Sequence, residues 1–232
     1  MKASLHRQEP KQINNRTKVA VASTVCSAVG IAASVAGIYA MAKKGNPSLT
    51  LKNILYQEKD VFMIGTGAVA GGLVGGLIAD KDKENVVPKV REAAQQMIGN
   101  TLFPVSFLAV GNKILEKTNF KLPKFKSNSK PAQIANVVLS ALPKIAVTLT
   151  SLIGGAHVGN KVVNTVNNKI FKEDVKRNVS AEDMLVHTDD ICLATSMLAK
   201  NAPKIASISN AILPATFLVS GAKTGMQQKE NC

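Results

Sequence analysis

From Val19 to Ala42 the chain runs 24 residues without a charge, and from Val61 to Ala79 it runs another 19. Lys18 and Lys43 bracket the first run, and Asp60 and Asp80 bracket the second. A helix needs roughly 17–25 apolar residues to cross the hydrocarbon core of a bilayer. Both runs meet that length. Polar and apolar residues rarely alternate, and hairpin turn pairs such as Asn-Gly are missing, so no strand pattern competes. The fold class expected is all-α.

Three weaker stretches follow. Ala93–Asn112 is uncharged, Pro131–Asn160 is interrupted only by Lys144, and Ile205–Ala222 lies between Lys204 and Lys223. Their Ala, Ser, Thr and Asn content makes them only mildly apolar, and Pro104 and Pro214 predict Pro-broken helices. The chain therefore divides into a basic polar tail (1–18), a transmembrane hairpin (19–80), a charged link with a Pro-broken helix and linker (81–130), and a helical region with one or two further membrane or core helices (131–232). Val162 to Val175 carries apolar residues at helical spacing, and Ser180-Ala-Glu-Asp183 has capping-box spacing before a second amphipathic helix over 181–198. The long first run reads as an uncleaved anchor, since a secretory signal core is usually about 7–15 residues.

Charge narrows the partners. Lys+Arg number 29 against 15 Asp+Glu, a net charge of +14, yet the mean hydropathy is +0.10. The basic residues fill every segment between the runs, so no alternation of sides emerges. With 25 Lys and four Arg they suit diffuse attraction to anionic headgroups rather than bidentate phosphate recognition. No basic helix carries base-reading residues and aromatics are 4% of the chain, so no nucleic-acid partner is expected. Three scattered Cys cannot staple a fold.

The glycine cluster is the most informative motif. Gly65-x-Gly67-x-x-Ala70 has the form of a dinucleotide fingerprint, but the βαβ context that gives it meaning is missing. Gly67, Gly71 and Gly75 recur every four residues, with Gly72 and Gly76 as an adjacent row. On a helix they form a flat stripe that a neighbouring backbone can approach, which governs association in lipid. Ser23, Ser27, Gly30, Ser34 and Gly37 offer the partner face. Gly30, Gly37, Gly67, Gly71 and Gly75 are thus the expected helix-packing residues. Over Gly65–Leu77 the pattern resembles the glycine-zipper segments of small membrane proteins. That resemblance implies membrane-embedded helix association and a route to homo-oligomers, not an activity.

A second pattern is an imperfect repeat. Asn100–Lys113 aligns without gaps on Asn210–Lys223, with six of 14 positions identical, Pro and Gly among them. Repeated broken helices occur in transporters. Lys144, if embedded, would be an intramembrane charge of the kind that marks function. Catalytic signatures are lacking. His6, His157 and His187 have no Cys or nucleophile partner, and His187 with Asp183, Asp189 and Asp190 is an ordinary solvated-helix composition. No enzyme activity, cofactor or metal is expected. The expected function is that of an integral membrane protein, located in the lipid bilayer, with a structural or interaction role through small-residue packing. The alternatives are a pore or transporter built on the repeated helices, and a soluble all-helical protein with a small-residue core.

Overall fold

The computed structural model describes residues 10–51, 54, 56–127, 129–171 and 203–229, and every regular element among them is helical. In chain order these are α1 (Pro10–Gly45), α2 (Glu58–Ala79), a 3-10 turn (Lys83–Asn85) leading into α3 (Val86–Ala94), a π-helical segment (Gln95–Leu102), α4 (Phe103–Thr118), α5 (Lys130–Val166) with a π turn at Asn167–Phe171, and α6 (Pro203–Met226). Three helical stretches, Asn15–Gly45, Glu58–Ala79 and Lys130–Phe171, are long and apolar enough to cross a membrane.

Each helix start has a local cause. Pro10 opens α1, so part of the expected polar tail is helical. Glu58 and Asp60 place negative charge in the first turn of α2, where the helix dipole favours it. The Asp60 carboxylate also accepts a hydrogen bond from the Gln57 backbone amide at 2.9 Å. Asn119, at φ 48°, takes the left-handed conformation that ends α4. Pro214 was expected to break its helix, and the structure corrects this: it lies inside the continuous helix α6, as Pro143 lies inside α5. A proline removes one donor, and packing along the rest of a long helix carries the axis through.

Glycine contacts set the helix directions. Gly30 meets Gly67, Gly71 meets Cys26 and Gly75 meets Ala22, so α1 and α2 are antiparallel. Gly72 lies against Gly221 and Gly76 against Gly225, so α6 runs parallel to α2. Asn112 donates to Glu58 at 2.8 Å and Thr101 lies near Gly65, which makes α4 antiparallel to α2. Gly155 faces Pro104 and Gly159 faces Gly99, so α5 runs back along α4. One end of the bundle gathers Asn15, Asp80, Lys89 and Gln227. The other gathers residues 46–51, Tyr56, Gln57 and residues 119–127.

The apolar core lies toward this second end. Ile31, Ile38, Ile54, Val61, Ile64, Leu108, Leu213 and Phe217 form it, with Tyr39, Leu49 and Tyr56 packed around them. Outside, large apolar residues face away from the protein. Val21, Val25 and Val29 form a stripe on α1, and Ile78, Val110, Ile153 and Val219 do the same on four other helices.

Candidate functional site

The five expected packing residues separate into two groups. A Cβ added at Gly30 would collide with the Gly67 carbonyl, and one at Gly67 with Ser34 Oγ and the Gly30 carbonyl. At Gly71 and Gly75 it would meet the Cys26 and Ala22 carbonyls. These four lie in the α1–α2 seam. Gly37 does not: nothing lies within 4 Å of its added Cβ. The inward position there is Ile38, 2% exposed, which belongs to the apolar core with Ile54 and the adjoining Tyr56. Gly65 and Gly67 sit inside one continuous helix, where a phosphate-binding turn between strand and helix has no place.

Sequence reasoning missed the second use of the stripe. Gly72 and Gly76 form a seam with Gly221 and Gly225 of α6, while Ser23 and Ser27 of α1 lie against the same two glycines. Three helices thus meet on small residues. The periodicity of Gly72 and Gly76 was visible, but the partner's Gly221-x-x-x-Gly225 spacing is a single interval, too short to stand out.

Lys89 was also hidden, since it looks like one of the many lysines of the charged link. Its side chain is 1% exposed and reaches Asp80 Oδ2 at 2.8 Å, while Nζ donates to the Gln227 carbonyl at 2.7 Å. That carbonyl lies just beyond the C-terminus of α6, where a cation is favoured by the helix dipole. Asn85 donates to Asp80 Oδ2 and Asn15 to Asp80 Oδ1, at 3.0 and 3.3 Å. Burial by itself raises the Asp80 carboxyl pKa. Hydrogen bonds from Lys89, the Asp82 amide and Asn85, with the Lys89 charge, outweigh it and hold Asp80 below the usual carboxylate range. The cluster ties the first, second, third and last helices together at one end.

The most unusual chemistry lies deeper, on the π-helical segment. Gln95, Gln96, Asn100 and Thr101 are all at most 5% exposed, as is Glu92 one turn before. Gln96 is the hub. Its Nε2 donates to Glu92 Oε1 at 2.8 Å, and its Oε1 accepts from Asn100 Nδ2 at 3.0 Å and from Ser220 Oγ of α6 at 2.7 Å. On the opposite side, Gln95 Nε2 donates to Asn160 Oδ1 of α5. A polar layer therefore crosses the bundle from α5 to α6. Pro104 follows at the start of α4 and has no N–H for the Asn100 carbonyl, and the wider turn just before it sets adjacent glutamines toward different helices.

The layer is not saturated. Gln95 Oε1, Asn100 Oδ1 and Asn160 Nδ2 are buried without hydrogen-bond partners. Reversing both facing amides leaves one donor and one acceptor over, as before. Such atoms cost roughly 1–3 kcal/mol each when left dry. Neutral amides that donate and accept can hold water or a small polar solute, and they offer no nucleophile. No cluster of metal-ligating residues occurs among the described residues.

The repeated segments run in opposite directions, one in the π segment and α4, the other in α6. Phe217 is 3% exposed and its counterpart Phe107 is 38% exposed. Lys144 lies on the exposed side of α5, on the wall of a cleft shared with Glu58 and Glu116. The metal and amphipathic-helix readings over 180–198 fall outside the described residues. No protein family, curated protein or solved structure matches the chain.

Proposed function

We propose that the chain is a non-enzymatic integral membrane protein whose role is structural or interaction-based and is carried by close helix packing. One observation supports this above the rest: the burial pattern is inverted. Gln95, Gln96, Asn100, Asn160 and Ser220 are inside, while Val21, Val25, Val29, Ile78, Ile153 and Val219 are more than half exposed on long uncharged helices. In water, contiguous exposed apolar faces of this kind are rare. In lipid they are the ordinary surface, and close contact between small residues drives association. The exposed valine stripe of α1 faces lipid or a second copy of the chain. Alkaline carbonate extraction of membranes tests the reading: retention in the pellet is expected, and release into the supernatant points to the soluble alternative.

The polar layer favours a second reading, a pore or transporter for a small polar solute. Buried polar side chains in a membrane bundle are costly and mark pathways, and two antiparallel copies of a repeated segment, one interrupted by the π-helical turns before Pro104, fit that architecture. Flux across reconstituted liposomes that is abolished by Gln96→Leu selects this reading, and tight vesicles select the scaffold.

A further inference from the structure

A cleft of about 620 Å³ opens at the end of the bundle opposite the Asp80–Lys89 pair. Its volume falls within the range of small-ligand sites, roughly 300–1,000 Å³. Its lining carries both signs of charge: Glu58 of α2 and Glu116 of α4, and Lys144 of α5 with Lys121 and Lys124 of the chain that follows α4.

These charges do not neutralise one another. Among the described residues none of the five is in an ion pair; Lys89–Asp80 and Lys229–Glu84 lie at the far end of the bundle. The segment that carries Lys121 and Lys124 is tied to α5: Asn136 accepts from the Phe125 amide at 2.7 Å and donates to the Phe125 carbonyl at 2.9 Å. Glu58 is oriented by the amide of Asn112 at 2.8 Å. A cleft with charges of both signs that are not ion-paired is complementary to a zwitterion. Tyr56 and Phe120 add aromatic surface for an ammonium group, and Leu115 and Leu139 add apolar surface. Burial and the charge of Asp60 raise the Tyr56 hydroxyl above its ordinary pKa, so it stays neutral.

The level of the cleft identifies the source. Glu58 lies three residues before the uncharged run of α2, which begins at Val61, and Lys144 immediately precedes the uncharged stretch Ile145–Asn160 of α5. Both belong at a hydrocarbon–water boundary, which explains why Lys144 interrupts an otherwise uncharged run. We infer that the cleft binds the headgroup of an aminophospholipid, with its phosphate toward Lys121, Lys124 and Lys144 and its ammonium toward Glu58 and Glu116. This rests on the membrane reading and adds a specific lipid class to it.

The test measures the thermal stability of the purified full-length protein in detergent, titrated with phosphatidylethanolamine, phosphatidylglycerol, phosphatidylcholine and soluble phosphoethanolamine. Phosphatidylethanolamine is expected to stabilise most. Lys144→Ala and Glu116→Gln, both at exposed positions, are each expected to weaken that effect about tenfold. A phosphatidylglycerol effect as large as that of phosphatidylethanolamine overturns the inference in favour of diffuse basic attraction. Stabilisation by soluble phosphoethanolamine without any by the lipid overturns the lipid source. An unchanged preference in both variants overturns the site. Carbonate extraction of the same variants separates the two levels: a protein kept in the pellet without lipid preference fails only this inference.

Discussion

Gly30 and Gly37 stand seven residues apart on one helix and differ in what a methyl group would meet. At Gly30 it strikes the Gly67 backbone, which cannot move aside without parting the helices; at Gly37 it enters open space. Gly30→Ala is therefore expected to cost about 1–3 kcal/mol by overpacking. Gly37→Ala is expected to be neutral or to stabilise by up to about 1 kcal/mol through helix propensity. Thermal melts of the two variants in detergent check the contrast, and equal effects would contradict the seam. Asp80 gives a pH signature. Its folded pKa lies below the ordinary value, so its contribution is present above about pH 4 and is lost as pH falls through the folded pKa. Asp80→Asn is expected to flatten stability between about pH 5 and 2. Because it leaves Lys89 buried without its charge partner, it should also cost about 3–5 kcal/mol at neutral pH.

At the level of the element, the π-helical segment makes a polar layer in an otherwise small-residue bundle. Gln96 serves Glu92, Asn100 and Ser220 together, so Gln96→Leu takes a hydrogen bond from all three. A loss of about 1–3 kcal/mol is expected for each group left unpaired, partly offset by the added apolar burial. Denaturant melts of Gln96→Leu against Gln133→Leu, an exposed glutamine on α5, provide the comparison. In the sequence, Gln95, Gln96 and Asn100 read as blemishes that made Ala93–Asn112 a marginal span. Their burial was not legible there, because a polar side chain's cost depends on the partners that other helices bring, here Asn160 and Ser220. Pro104 was legible as a disturbance, but not as the neighbour of a wider helical turn.

Across the whole molecule, the helix directions predict sidedness in a bilayer. Asn15, residues 80–92 and Lys229 share one end, while residues 46–51, Tyr56, Gln57 and residues 119–127 share the other. Single cysteines at Ser48 and Ser127 are expected to react with an impermeant maleimide from the same side, and cysteines at Lys83 and Lys229 from the opposite side, in a background lacking Cys26, Cys192 and Cys232. Labelling of Ser48 and Lys83 from one side would contradict this topology. Both ends collect several lysines, which is why counting basic residues in the segments between runs could not orient the chain.

Helical class and two helices long and apolar enough to cross a membrane followed from the sequence alone, because runs of 24 and 19 uncharged residues show no strand pattern and reach the length of a span. The small-residue stripe was equally local: Gly67, Gly71 and Gly75 face one way on any helix. Only the tertiary structure decided which backbone approaches each stripe, that α6 returns to the N-terminal hairpin, that Lys89 lies buried against Asp80, and that Glu58 and Lys144 face a common cleft. Those pairings join residues far apart in the chain, and no periodicity records them. Periodicity determines which face of a helix is small, apolar or polar, and packing between distant helices determines what that face meets.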